Sequence, residues 1–301
     1  MRKTEKCKDK YSKFNCDTIG YWMIAPFYIF LLIFIVLPII YNIYFSLTNY
    51  NLRVCEFVGL KNYIRLFSDE TFLVSMKNTL VYTFFTLILN MGLGLAAALA
   101  LKKKLMGLKF FQTSFYLPYV TSMVGVSMIW LWMYDPSFGI FNQILKFFGI
   151  QMQQWLYDSK WAMSCIIIMS IWKSLGYFMV IYLAGLQSIP AYLYEAATID
   201  GANAWTQFRA ITLPMLQPIT FFLFVTGIIN CFKVFEQVQI LTNGGPMNAT
   251  TTIVHQIYNR GFIEFQMGYA AALAIVLLIL ICIVTLFNFK YGKQGQDLEV
   301  G

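Results

Sequence analysis

Hydrophobic residues dominate six long windows of this chain, and charged residues mark their ends. No charged side chain occurs from Thr18 to Leu52, between Lys77 and Lys102, or between Lys109 and Asp135. The same holds between Lys173 and Glu195, between Arg209 and Lys233, and between Glu264 and Lys290. A helix needs about 20 mostly apolar residues to cross the hydrocarbon core of a bilayer. The pattern therefore predicts an all-α membrane protein with six transmembrane helices, over 21–46, 76–101, 110–133, 161–185, 213–235 and 267–289. The membrane-embedded body runs from 21 to 289, flanked by a basic tail (1–20) and a short tail (290–301). There is no tandem repeat and no low-complexity linker.

Composition fits that picture: 59% of the 301 residues are hydrophobic and 12% are charged, where a soluble domain carries about a quarter charged. Basic residues then set the orientation. With the N-terminus inside, the inner segments hold 13 of the 22 Lys and Arg and the outer segments hold 6. Lys102, Lys103 and Lys104 and the first tail carry most of this bias. Both termini are expected in the cytoplasm. The net charge of +8 is dispersed over short loops, so it reads as a topology signal toward lipid and not as a nucleic-acid surface. The first apolar stretch is too long for a cleaved signal and lacks a small-x-small site. The six Cys contain no CxxC, which argues against metal or redox chemistry.

Several functions are disfavoured. No GxxxxGK[ST] loop is present, so the chain is not expected to use ATP itself. All fourteen Asp and Glu fall outside the middle of the spans, unlike the intramembrane carboxylates of proton-coupled carriers. His255, the one histidine, is expected to be solvated in an outer loop. No catalytic or metal constellation can be assembled, so a non-enzymatic subunit is expected, with no cofactor bound by this chain. The aromatic cluster Trp130, Trp132, Tyr134, Trp155, Tyr157 and Trp161 suits headgroup anchoring.

Polar groups inside the membrane are costly and mark functional candidates. Trp172, Lys173, Ser174 and Tyr177 lie near the middle of the fourth span. Asn230, Lys233 and Glu236 fall on one side of the fifth at i, i+3, i+6. They offer hydrogen-bonding groups and aromatic faces. Equally, Lys233 and Glu236 could pair with each other, and Lys173 could pack against carbonyls of another helix.

The inner segment 186–212 differs from the other inner loops. Ser188 and Pro190 suit a helix start and Gly201 a helix stop. A helix of roughly 15 Å is too short to span. A second short helix over about 203–211 leads to Pro214. Leu193, Ala196 and Ala197 share one face, small enough to enter a partner's groove.

Here a resemblance emerges. Glu195-Ala196-Ala197, Gly201 and Ile211-Thr212-Leu213-Pro214 fit the EAA loop, EAA-x3-G-x9-I-x-L-P, of binding-protein-dependent ABC import permeases. Phe57-Val-Gly-Leu-Lys-Asn-Tyr63, Leu117-Pro-Tyr-Val120, Phe235, Leu241-Thr-Asn-Gly-Gly-Pro246 and Thr250-Thr-Thr252 resemble the carbohydrate-uptake branch, and within it the first membrane subunit. The resemblance implies a type I ABC importer permease fold in a bacterial cytoplasmic membrane. It implies a coupling helix docked on an ATP-binding subunit through Leu193, Glu195, Ala196, Ala197, Asp200 and Gly201. It further implies a second permease subunit, a dimer of ATPase subunits using ATP and Mg, and an extracytoplasmic sugar-binding protein. Tyr119 and Tyr177 look like the aromatics of the family's sugar path. Cys231 and Val234 stand where maltose relatives carry polar residues. The rival readings are a secondary solute carrier and a membrane scaffold without transport.

Overall fold

The computed structural model describes residues 9–102 and 107–292. Lys103, Lys104 and most of both tails lie outside these residues. Helix α1 covers residues 9–46 and relaxes into a π turn at Leu32–Val36. Then follow α2 (Lys61–Ser68), α3 (Glu70–Leu101), α4 (Leu108–Val120), α5 (Met123–Met133) and α6 (Ile140–Phe147). Next come α7 (Ala162–Ser188), α8 (Ala191–Ile199), α9 (Ala204–Met215), α10 (Gln217–Phe232) and α11 (Glu236–Leu241). Residues 253–263 form α12, and Met267–Gly292 form α13. Among the described residues there is no sheet, only a single bridge between Thr48 and Phe57.

Among the described residues, four helices are long and apolar enough to cross a membrane: Gly20–Ser46, α3, α7 and α13. The predicted third and fifth spans are not continuous. Helices α4 and α5 meet at 97°, and α9 and α10 at 61°. The first break sits at Thr121 and Ser122, both extended, just after Pro118, whose ring supplies no N–H to the preceding turn. The second sits at Leu216 between Pro214 and Pro218. Helix α10 ends at Phe232, and Phe235 adopts φ −145°, ψ −62°. Asn230, Lys233 and Glu236 therefore do not share one helical face.

The interior is built around α7. Leu87 and Ala98 of α3, Phe178, Met179, Tyr182, Leu183 and Leu186 of α7, and Leu223 of α10 form one buried cluster. Small residues permit the close approach: a Cβ at Gly94 would sit 2.7 Å from Cβ of Phe178, and one at Gly176 would overlap the Phe115 carbonyl of α4. In lipid, such van der Waals packing drives association, because the tails are as apolar as the side chains. By contrast, nothing in the most apolar window of α1 is buried. The last ten residues of α1 pack along α13, and its end is fastened: Asn62 Nδ2 donates to the carbonyls of Ser46 and Thr48, both at 2.9 Å, and Tyr63 Oη lies 2.7 Å from Ser46 Oγ.

The outer segments are more ordered than their turn-like sequence suggests. Asp69 caps α3 by accepting from the Thr71 N–H. Its other oxygen receives Tyr269 Oη at 2.7 Å and Arg260 at 3.3 Å, tying α3 to α12 and α13. Burial would raise the Asp69 pKa, but these hydrogen bonds and the Arg260 charge prevail and lower it. Asn78 of α3 donates to the carbonyls of Asn248 and Thr251, and Thr252 Oγ1 donates to the Val234 carbonyl. Trp130 and Tyr134, expected at the headgroup level, pack instead in a second buried cluster, because Tyr134 Oη reaches the Cys165 carbonyl at 3.1 Å.

His255 is also a correction: it is 1% exposed, not solvated. Its ring closes against Gly244, where any Cβ would lie 2.6 Å from His255 Cε1. Asn259 Nδ2 lies 3.4 Å from Nδ1 and Asn243 Oδ1 lies 3.4 Å from Nε2, which fits a neutral ring protonated on Nε2. Burial lowers its pKa below the usual 6.5. The unfolded chain thus takes up the proton first as pH falls. This contribution to stability is complete above about pH 6.5 and is lost on acidification through the folded pKa. We expect the melting temperature of the purified protein to fall between about pH 7.5 and about pH 5.5, and His255→Gln to flatten that dependence. An equal slope in the variant would contradict this.

Candidate functional site: an intramembrane cavity and a cytoplasm-directed helix

The break between α4 and α5 exposes carbonyls that a continuous helix would have paired. Within a bilayer such groups need partners from the protein. Lys173, in the middle of α7, supplies them. Its Nζ donates to the carbonyls of Pro118 at 2.9 Å, Tyr119 at 3.2 Å and Thr121 at 2.6 Å. An ammonium has three donors and no acceptor, so its capacity is filled. The cation also sits at the C-terminal end of α4, where the helix dipole is negative. Lys173 is 6% exposed. Gly176 and Tyr177 follow on the same face of α7 at i+3 and i+4. Gly176 admits the α4 backbone, and the Tyr177 ring stacks on Tyr119 at 4.8 Å and 18°.

Beside this joint lies a cavity of about 250 Å³ walled by α3, α4, α5, α7, α10 and α11. Of the residues expected on the substrate path, Tyr119, Lys173, Ser174, Tyr177 and Asn230 line it. Trp172 does not; it is 45% exposed and packs on Trp130 at a ring separation of 5.5 Å. Nor do Lys233 and Glu236, both exposed, and neither takes part in the two ion pairs found among the described residues. A larger hollow of about 600 Å³ lies where Asn49–Arg53 meets Gln266 and Tyr269, away from the buried polar groups between the spans.

Sequence reasoning missed the α3 wall. Ser75, Thr79, Thr83, Thr86 and Asn90 are all buried, and they recur at three- and four-residue spacing. That stripe is visible in the sequence, just ahead of the small residues of the same helix that signal close packing. Thr86, Asn90 and Tyr82 line the cavity, with Gln237 opposite. Gln237 Nε2 donates to Tyr82 Oη at 2.9 Å. Asn90 Nδ2 donates to the Thr86 carbonyl at 2.9 Å and lies 3.4 Å from Ser174 Oγ. The oxygens Thr86 Oγ1 and Asn90 Oδ1 are buried with no protein partner.

At the other end of α7, Pro190 precedes α8. The helix closes as the glycine required: Gly201 has φ +78°, and the Ala202 N–H bonds the Ala197 carbonyl at 2.9 Å, a Schellman-type stop. The exposed face differs from the expected one. Leu193 and Tyr194 turn inward against the main cluster. Tyr192, Glu195, Ala196 and Ile199 point outward at i, i+3, i+4, i+7, with Tyr192 and Ile199 64% and 88% exposed. Asp200, the C-cap, is exposed as well. Tyr194 Oη lies 2.9 Å from Thr212 Oγ1, Gln207 Nε2 donates to Thr198 Oγ1 at 3.0 Å, and Lys102 Nζ stands 4.0 Å above the Tyr194 ring. Helix α8 is thus pinned to α9 and to the end of α3, with its outer face free.

Residues 90–291 match the family described as "Binding-protein-dependent transport system inner membrane component". The chain belongs to that family. It is 36% identical to a probable ABC transporter permease protein, YurN, of Bacillus subtilis, over 93% of this chain and 97% of that protein. It is 35% identical to the sn-glycerol-3-phosphate transport system permease protein UgpA of Agrobacterium fabrum (92% and 95% covered). It is 34% identical to the trehalose/maltose transport system permease protein MalF of Thermococcus litoralis (95% and 97% covered). Its fold superposes with a TM-score of 0.82, at 28% identity, on a chain of a bacterial alginate ABC transporter in complex with a pentasaccharide-bound periplasmic protein, covering 92% of this chain and 95% of that one. This permease is a multi-pass membrane protein with the fold of an ABC importer subunit.

Lys173→Met would leave three carbonyls between the spans without a protein donor. A hydrogen bond to a charged group contributes about 1.5–3 kcal/mol, so the loss should reach on the order of 3 kcal/mol. We expect a clear drop in the melting temperature of the purified protein, and none for Lys77→Met, whose side chain is exposed. Equal melting of both variants and the parent would refute the role given to Lys173.

Proposed function

We propose that this permease forms half of the sugar path of an ATP-driven importer. It pairs with a second permease subunit, receives cargo from an extracytoplasmic sugar-binding protein, and is driven by a dimer of ATP-binding subunits that use ATP and Mg. Both termini face the cytoplasm, and so does α8. The observation that carries the reading is the free face of Tyr192, Glu195, Ala196 and Ile199 on a helix otherwise fastened to the bundle. An exposed apolar surface of this kind is characteristic of an interaction site.

The attachment of α8 supplies the mechanics. Tyr194 and Gln207 link it to α9, which bends at 61° into α10. Lys102 over Tyr194 links it to α3. Helices α3 and α10 are two walls of the cavity. Closure of the ATPase dimer pushes α8 and, through these contacts, shifts the walls together as a rigid-body movement. Leu193 and Tyr194 hold α8 to the bundle, Glu195 and Ala196 face the motor, and Gly201 with Asp200 sets the exit angle.

Two variants test the joint. Gly201→Val places a β-branched residue at φ +78°, where even an unbranched L-residue costs roughly 1–2 kcal/mol; no neighbouring atom lies in the way of its Cβ. Glu195→Lys reverses an exposed charge. Both should leave membrane insertion intact and lower ATPase co-purification and sugar-stimulated ATP hydrolysis about tenfold, the effect of losing roughly 1.4 kcal/mol. Full coupling in both variants would place the joint elsewhere.

A further inference from the structure

We infer that the cavity selects an uncharged, hydroxyl-rich solute, a neutral saccharide, over a phosphate or a uronate. The inference rests on the transport reading above and narrows it to a charge class. Overall similarity does not decide the point, since this chain is 35% identical to a glycerol-phosphate permease and 34% identical to a trehalose/maltose permease.

Three observations decide it. Among the described residues, Lys173 is the single basic one in the cavity wall, and its three N–H groups are occupied by the carbonyls of Pro118, Tyr119 and Thr121. To grip an anion it would have to abandon the helix break. Second, the buried, unpartnered wall atom that can only accept is Asn90 Oδ1; the Thr86 hydroxyl beside it can donate or accept. The Asn90 amide cannot turn over, because its nitrogen faces the Thr86 carbonyl at 2.9 Å. Its Oδ1 accepts only. A sugar hydroxyl donates to it, whereas a phosphate or carboxylate would meet it lone pair to lone pair and stay unpaired after leaving water, which is costly for a charge. Third, the Tyr119 ring, stacked on Tyr177, remains 38% exposed. It offers an apolar platform for the C–H face of a sugar ring.

The test compares cells carrying the intact transporter with an isogenic strain lacking this chain. Both are given one mixture of trehalose, maltose and longer neutral oligosaccharides with sn-glycerol 3-phosphate and alginate oligosaccharides, and depletion of each is followed by mass spectrometry. Loss of the chain should abolish uptake of one or more neutral sugars and leave the anions unaffected. Chain-dependent uptake of anions alone would overturn this inference while the transport reading stood. No chain-dependent uptake of any compound would overturn both. Asn90→Leu and the milder Thr86→Val, at parental membrane abundance, should each raise the half-saturation concentration for the imported neutral sugar about tenfold, as expected for one lost hydrogen bond; an unchanged value in both would remove these oxygens from the site.

Discussion

A carbonyl that turns away from its helix inside a bilayer must find another donor, and this permease depends on how that need is met at one point. Helix α4 stops near the middle of a predicted span, and Lys173 of α7 receives its last carbonyls. A buried charge and a set of buried dipoles, each unfavourable alone, satisfy one another. The arrangement fixes where α4 ends, where α5 turns away at 97°, and where the Tyr119 ring stands. The cavity exists because the span is broken there.

Helix α7 organises the remainder. One face carries Lys173, Gly176 and Tyr177 toward α4; another carries Phe178, Met179 and Tyr182 into the core shared with α3 and α10. Glycines on three helices, Gly94, Gly176 and Gly227, lie where a Cβ would strike a neighbour: a side chain at Gly94 and Gly227, the α4 backbone at Gly176. The same helix runs on to Ser188, two residues before the Pro190 N-cap of α8. The element that shapes the cavity is therefore continuous with the element proposed to meet the motor.

Long apolar windows made the helical membrane fold legible, because window length and charge exclusion are sufficient to read spans. They did not reveal the breaks, since Pro118 and Pro214 leave hydropathy unchanged while removing backbone donors. Lys173 stood out as an intramembrane charge, and both of its possible roles were open; only the positions of three carbonyls separate them. Gly201 was readable as a stop because φ +78° is a glycine conformation. The outward face of α8 was not, since spacing groups Leu193 with Ala196 and Ala197 without saying which side meets the bundle. The Thr86–Asn90 wall was missed although its spacing was present. His255 was misplaced because a lone polar residue in a loop gives no sign of the partners, Asn243 and Asn259, that bury it.

The central claim is that the Lys173 charge holds the end of α4. Amide hydrogen exchange in the 116–126 segment measures this most directly, comparing the parent with Lys173→Met in the same lipid. Exchange faster by at least about tenfold is expected in that segment, reporting local opening, with the α3 amides unchanged. Equal protection of 116–126 in the two proteins would contradict it.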